Sequence, residues 1–228
     1  MKRGRGLVAL GAVLALLGSV GLAFSLYSPH WHPSDTNFPR QGIDVSHHQD
    51  AIDWAALPAQ GVDFAYIKAS EGGDHRDTRF AANWQASRTA GVRRGAYHFF
   101  TLCRPGADQA ANFIAAVPAE PDALPPAVDL EYMGNCAGRR PTVEAFHAEL
   151  AIFLAAVEAH YGKRALLYLT EEFDAAYQVS ARVDRPLWLR SLVFEPRFGA
   201  RPWTLWQVSN FRRLDGIAGR VDWNVARP

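Results

Sequence analysis

Two carboxylates stand two residues apart in the segment AVDLEY, residues 127–132, which is otherwise largely apolar and follows two prolines. Side chains alternate between the two faces of a strand, so Asp129 and Glu131 would share one face. Like charges this close repel each other, and burial of either one is costly unless it is paired or protonated. The pair is therefore the first candidate for chemistry in this chain.

Two further acidic residues stand in other short β-rich runs, Asp44 in GIDVS and Asp222 in VDWN. A group of four carboxylates suits either divalent-metal hydrolysis or glycoside hydrolysis. Metal sites usually recruit histidine or paired cysteines at ligand spacing, a pattern that this sequence lacks, so neither a metal nor a cofactor is predicted. Glycoside hydrolysis needs one protonated carboxylic acid and one ionised carboxylate, and burial with mutual repulsion can separate two pKa values in this way.

Aromatic side chains near the same strand ends favour a carbohydrate ligand, because flat rings can pack against sugar faces. The alternative for any single tryptophan in a strand is a place in the core. The rings in question belong to Tyr97, Tyr132, Tyr168, Trp188, Trp206 and Trp223.

The elements that must position these residues follow from the alternation of patterns along the chain. Eight β-rich runs are predicted as strands, over residues 42–46, 64–69, 95–101, 127–131, 165–170, 187–191, 204–209 and 221–223. Amphipathic patterns predict helices over residues 77–90, 107–117 and 142–161. Strands that alternate with helices indicate a parallel sheet, and eight strands favour a closed barrel over an open sheet.

The late part of the chain lacks this rhythm, because no convincing helix lies within residues 191–204 or 209–221. The predicted fold class is therefore α/β, an irregular TIM-like barrel of about eight strands with βα units early and bare strands late. In a parallel barrel the side chains at the carboxyl ends of the strands line the active face. The acidic residues would meet at that face.

The amino terminus carries the layout of an export signal. Lys2, Arg3 and Arg5 precede an uncharged apolar stretch over residues 7–24. Residues 1–25 are predicted to be a signal peptide or a membrane anchor. A small-x-small site at residues 23–25 favours a cleaved signal. The apolar stretch is nearly long enough to span a bilayer, which favours an anchor. The expected location is periplasmic or extracellular, with the protein either secreted or anchored to the inner membrane through residues 7–24.

The rest of the chain reads as a polar linker over residues 26–40 and one globular domain over residues 41–228, in a chain of 228 residues that is 49% hydrophobic. A monomer is expected. The formal net charge of +1 gives no basis for nucleic acid as a partner.

Cys103 and Cys136 are the only cysteines. In an exported protein such a pair favours a disulfide, whereas in the cytosol two free thiols would be expected. The two residues follow the third and fourth predicted strands, which would end side by side in a barrel, so a bridge is geometrically reasonable. It would brace the loop after Glu131.

Several motifs occur together and in a characteristic order: GIDVS, ASEG, GAYHF, DxE, WxxWQ and GxVDxN. With them, residues 41–226 resemble glycoside hydrolase family 25, whose members are lysozymes (N-acetylmuramidases). The resemblance implies a barrel of five βα units plus three further strands. It also implies retaining cleavage of the β-1,4 bond between N-acetylmuramic acid and N-acetylglucosamine in the glycan strands of peptidoglycan, without a cofactor.

The resemblance also implies roles for particular residues. Glu131 would be the catalytic acid and base, with Asp129 as its partner that either attacks the sugar or orients its acetamido group. Asp44 and Asp222 would complete the active site. Tyr97 would lie near the reacting sugar, with further residues lining the groove: Tyr168, Trp188, Trp206 and Gln207.

One segment departs from the family pattern. The family commonly has W-I/L-A-x-Y where this chain has WLRSL, residues 188–192. An arginine, Arg190, therefore stands in place of a small residue, and a groove aromatic is lost. Two alternatives to a muramidase stay open at this point, a chitinase-like hydrolase of N-acetylglucosamine polymers and a non-catalytic protein that binds the cell wall.

Overall fold

The computed structural model describes residues 18, 19, 21, 27–133, 136 and 138–228. The predicted signal or anchor, residues 1–25, lies almost entirely outside the described residues. Within the part of the chain that is described, no helix is long and apolar enough to cross a membrane.

The described residues form nine strands in one sheet, which closes into a barrel of eight strands with the short β3 at its edge. In chain order, β1 to β9 are Gln41–Val45, Phe64–Glu71, His75–Arg76, Arg93–Phe99, Ala127–Leu130, Leu166–Thr170, Leu187–Arg190, Leu205–Arg212 and Val221–Ala226. Parallel pairing runs from β1 through β2, β4, β5, β6 and β7 to β8. β9 is antiparallel to both β8 and β1 and closes the barrel between them.

Five α-helices are described, α1 Phe80–Thr89, α2 Gly106–Ala116, α3 Val143–Tyr161, α4 Glu171–Tyr177 and α5 Val179–Arg182. Thr142 caps α3, since its hydroxyl accepts a hydrogen bond from Ala145 N at 3.2 Å, and Gly162 ends this helix with a left-handed backbone at φ 63°. Both signals are of the kind that marks helix ends in sequences. α1 begins later than predicted, because Asp77 accepts a hydrogen bond from Arg79 N at 2.9 Å within a turn that precedes the helix.

Helices α4 and α5 were not predicted from the sequence. Thr170 caps α4 by accepting from Phe173 N at 3.4 Å, and Glu171 and Glu172 occupy its first turn, which is a recognisable start signal. Residues 191–204 and 213–220 are all described and contain no helix. The predicted irregular α/β barrel, with its bare late strands, is confirmed.

Apolar side chains form two layers on opposite faces of the strands, as alternation requires. The outer layer, between strands and helices, includes Phe113, Phe146 and Phe153. The inner layer fills the barrel near the amino ends of the parallel strands and consists of Phe64, Tyr66, Ala127, Leu166, Tyr168, Trp188 and Leu205. The carboxyl ends are consequently left to polar side chains.

Residues 28–40, which the sequence predicts as part of a linker, pack against the barrel, and we call this segment the strap. Pro29 O accepts from Arg213 N at 2.8 Å at one end, and Arg40 O accepts from Ala226 N at 2.9 Å at the other. Between them the Phe38 ring lies 5.8 Å from the ring of Trp206. The strap therefore covers apolar surface of β8 and belongs to the folded domain.

The predicted disulfide between Cys103 and Cys136 is confirmed, with Cα atoms 5.6 Å apart. It joins the loop after β4 to the loop after β5. The second of these loops follows Glu131 directly, so the bridge tethers the segment next to this carboxylate.

Gly106, the first residue of α2, allows α2 and α3 to approach closely, because a Cβ atom there would lie 2.0 Å from Glu149 O. Gly106→Ala should therefore lower the free energy of unfolding by about 1–3 kcal/mol, the usual cost of overpacking. Urea denaturation followed by circular dichroism measures this change. Gly138→Ala is the control, since a Cβ atom at 138 meets nothing within 4 Å, and equal stability of the two variants would contradict the close contact.

Candidate active site

A cleft of about 310 Å³ opens at the mouth where the carboxyl ends of the parallel strands meet the amino end of β9. Its lining includes all four predicted acids, Asp44, Asp129, Glu131 and Asp222, together with Tyr97, Tyr168, Trp188 and Gln207. Asp222 stands near the start of its strand rather than at a carboxyl end. Because β9 is antiparallel, it still reaches the same mouth, where Asp222 is the register partner of Asp44 on β1.

Asp44 is held by two amide side chains from neighbouring strands. Its Oδ2 accepts from Asn224 Nδ2 at 2.7 Å and from Gln207 Nε2 at 3.2 Å. Burial raises the pKa of Asp44 to about 6, although these hydrogen bonds and the positive charge of Arg190 act in the opposite direction. The carboxylate is thus fixed in orientation and costly to ionise.

Two aromatic side chains in turn fix the amides. Tyr168 donates from its hydroxyl to Gln207 Oε1 at 2.8 Å, and Trp188 donates from Nε1 to Asn224 Oδ1 at 2.7 Å. Since each amide oxygen accepts a hydrogen bond, each amide nitrogen is turned towards Asp44. The two rings form the floor of the cleft, with relative exposures of 6% for Tyr168 and 2% for Trp188. Through their hydrogen bonds to the two amides, they position Asp44.

Asn224 is a site residue that was not predicted from the sequence. The available signal was its place in the motif GxVDxN, two residues after Asp222 and hence on the same face of β9.

Asp129, near the end of β5, and Glu131, directly after it, both line the cleft, while Leu130 between them is fully buried on the other face. Burial raises the pKa of Asp129 well above its ordinary value, and the negative charges of Glu131 and Asp44 raise it further. Asp129 Oδ1 is buried and has no hydrogen-bond partner among the described residues. Burial also raises the pKa of Glu131, which the positive charge of Arg190 partly offsets.

Two further groups of the cleft, Asp222 and Tyr97, also favour their protonated forms. Burial raises the pKa of Asp222 to about 8, with the negative charge of Asp44 adding to the rise. Burial likewise raises the pKa of Tyr97 well above its ordinary value, helped by Asp44 and Asp129, so this phenol stays a hydrogen-bond donor. Because the four carboxyl groups repel one another, they cannot all be ionised near neutral pH, and the site retains protons.

Two cations flank these acids on opposite sides of the barrel. Lys68 Nζ, on β2, lies 2.7 Å from Glu71 Oε2 and 5.0 Å from the centre of the Phe99 ring. Arg190 is the last residue of β7. Its charge lowers the pKa of Asp44.

Trp206, which was predicted to line the groove, is not part of the cleft lining. Trp206 is 4% exposed, donates from Nε1 to Ser191 O at 2.6 Å and packs against Phe38 of the strap. It lies on the outer face of β8, whereas its neighbour Gln207 faces the cleft. Alternation along a strand puts successive side chains on opposite faces.

The buried histidine His98 is not part of the cleft lining. Its Nδ1 lies 2.8 Å from Ser70 Oγ, and its Nε2 lies 3.2 Å from Gln109 Oε1. Burial lowers the pKa of His98 to about 3, so the ring is neutral. Within the described ranges, no group of three or more histidine, cysteine or acidic side chains is arranged to hold a metal ion.

Comparisons with known proteins identify a family for this chain. The sequence model described as glycosyl hydrolases family 25 matches residues 43–217. An uncharacterized protein of Escherichia coli, YegX, is 33% identical over 190 residues, which cover 81% of this chain and 68% of the relative. Lysozyme M1 of Streptomyces globisporus is 33% identical over 213 residues, which cover 84% of this chain and 69% of the relative. The solved structure of a family 25 glycosyl hydrolase from Bacillus anthracis matches with a TM-score of 0.80 and 36% identity, covering 86% of this chain and 92% of that one.

The raised pKa of Asp222 predicts how stability changes with pH. An unfolded aspartate titrates near pH ~4, and the folded group near 8, so the folded state binds this proton more tightly. The associated stability is present below pH ~4 and is lost as the pH rises through 8. Asp222→Asn should therefore gain at least about 1 kcal/mol of unfolding free energy relative to the wild type between pH 5 and pH 8.

Urea denaturation at both pH values measures this difference. Asp215→Asn, which changes an exposed aspartate, is the matched control and should keep the wild-type dependence. If both variants follow the wild type, Asp222 does not hold its proton in the folded state.

Proposed function

The chain belongs to glycosyl hydrolases family 25, and we propose that this muramidase cleaves the β-1,4 bond between N-acetylmuramic acid and N-acetylglucosamine with Glu131 as its acid and base. The observation that carries the proposal is the pair Asp129 and Glu131 on one face of β5, in a cleft where burial raises both pKa values. The alternatives of a chitinase-like enzyme and a non-catalytic wall-binding protein are not favoured by the family relationship.

Glu131 is suited to the first step because burial raises its pKa, so that it keeps its proton to a higher pH than an exposed glutamate does. It donates this proton to the glycosidic oxygen as the bond to the leaving sugar breaks. In the second step the resulting carboxylate takes a proton from the water that attacks the anomeric carbon, which restores the acid.

Asp129 stabilises the positive charge that develops on the sugar ring. Two routes are open, direct attack to form a covalent intermediate and assistance by the acetamido group at C2 of the sugar. In the second route Asp129 accepts a hydrogen bond from the acetamido N–H, and its buried Oδ1, which has no partner among the described residues, offers that capacity. Each route inverts the anomeric carbon twice, so both retain its configuration.

Asp44 and Asp222 tune the charge of the cleft. They are register partners, and the negative charge of Asp44 helps to raise the pKa of Asp222, so the pair stores a proton close to the reacting groups. Tyr97, whose phenol remains protonated, is proposed to donate a hydrogen bond to the acetamido group. Tyr168, Trp188 and Gln207 form the floor on which the sugar rests.

Peptidoglycan lies outside the cytoplasmic membrane, so the enzyme acts in the periplasm or the extracellular space. Residues 1–25 are proposed to direct its export, either as a cleaved signal or as an anchor in the inner membrane. The Cys103–Cys136 disulfide is consistent with an oxidising compartment. A monomer is proposed, because one chain supplies all the acids of the cleft.

Glu131→Gln should reduce the cleavage of purified peptidoglycan by about 100- to 10,000-fold, the usual contribution of a general acid or base. New reducing ends, identified by mass spectrometry, should be N-acetylmuramic acid with the wild type, and chitin should be a poor substrate. Glu144→Gln, an exposed change at the start of α3, serves as the control. Full activity of Glu131→Gln would refute the assigned role, and a wild type that binds wall material without cleaving it would refute the function.

The stereochemistry of the first product tests the mechanism. Proton NMR in the first minutes of reaction should show the β-anomer of the new reducing sugar, since the bond that breaks is β and the configuration is retained. An initial α-anomer would exclude both proposed routes. A thiazoline analogue of N-acetylmuramic acid, which mimics the cyclised sugar, should inhibit strongly only if the acetamido group takes part.

A further inference from the structure

Arg190 stands at the rim of the cleft, on a strand that also contributes to the cleft floor. Its register partners are Thr170 on β6 and Gln207 on β8. Trp188, two residues earlier on β7, lines the cleft, and alternation puts Arg190 on the same inner face. Its side chain therefore leaves the barrel wall directly above the floor of the site.

The guanidinium of Arg190 has no hydrogen bond and no ion pair within 4 Å among the described residues, although it is half-buried. Two other cations with limited exposure are ion-paired, Arg185 with Glu158 and Lys68 with Glu71. A guanidinium carries five N–H donors in a planar fork that matches a carboxylate. Arg190 thus presents unused donors at the mouth.

The position of Arg190 on the barrel separates it from the other cation of the site. In the closed order of the eight barrel strands, β7 lies across the mouth from β2, which carries Lys68. The charge of Arg190 acts on Asp44, Glu131 and Asp222. A sugar bound over these acids would therefore have Arg190 at one side of it, within reach of its substituents.

The substrate offers a group that such a cation can recognise. A muramyl residue differs from N-acetylglucosamine by a lactyl ether whose carboxyl group is either free or joined to a peptide, and the peptide carries carboxylates of its own. We propose that Arg190 forms a subsite that binds a carboxylate of the muramyl side chain and thereby favours peptidoglycan over uncharged glycans. This inference rests on the proposed function and names the residue that gives it selectivity.

Three related substrates test the subsite: intact peptidoglycan, glycan strands stripped of peptide with free lactyl carboxylates, and the same stripped strands with the carboxyl groups reduced to alcohols. The wild type should prefer the carboxylated over the reduced strands by about tenfold or more in kcat/KM, mainly through KM, as expected for a charge-assisted hydrogen bond. Arg190→Ala should bring this preference close to one, and Arg190→Lys should keep part of it. Arg213→Ala, which removes an exposed arginine, should leave the preference unchanged.

The substrates on which Arg190→Ala loses activity identify the carboxylate that Arg190 binds. A loss of preference on stripped strands assigns the contact to the lactyl group, and a loss confined to intact peptidoglycan assigns it to the peptide. The subsite is refuted if Arg190→Ala lowers kcat/KM on all three substrates by the same factor, because Arg190 would then act only on the catalytic acids. A wild type that cleaves none of the substrates would instead refute the proposed function, and circular dichroism shows whether each variant is folded.

Discussion

The hydrogen bonding of one buried carboxylate, that of Asp44, organises the whole mouth of this barrel. A buried carboxylate is tolerated only when it is hydrogen-bonded or protonated, and here two amides provide the bonds. Those amides depend on Tyr168 and Trp188 for their orientation. The five side chains come from β1, β6, β7, β8 and β9, so the carboxylate is satisfied only when the barrel is closed.

The same burial explains why the other acids are present in such number. Each added carboxylate raises the pKa of its neighbours, and low solvation amplifies the effect. The result is a group that shares protons instead of four independent acids, with cations on β2 and β7 that limit how far the pKa values rise. The raised pKa of Glu131 is thus partly a property of the group, since the negative charge of Asp44 adds to the effect of burial.

The sequence predicted those parts of the fold and the site that depend on local periodicity. Strand alternation was enough to put Asp129 and Glu131 on one face, and the loss of helical patterns after β7 was enough to predict an irregular barrel. Trp206 was predicted to line the groove because of its residue type. Alternation along β8 puts it on the face opposite to Gln207, which lines the cleft. The strap was missed for a different reason: a segment rich in proline and histidine has no period of its own, and its order comes from surface on β8 that it covers.

The strap extends along the barrel from one end to the other. Its Pro29 contacts Arg213, just beyond the carboxyl end of β8, and its Arg40 contacts Ala226 in the last strand. The described chain therefore enters the domain on the side of the cleft, whereas β9 carries the carboxyl terminus to the far pole. An attachment after Pro228 therefore leaves the entrance of the cleft clear. The cleft and the carboxyl terminus thus lie at opposite ends of the barrel axis.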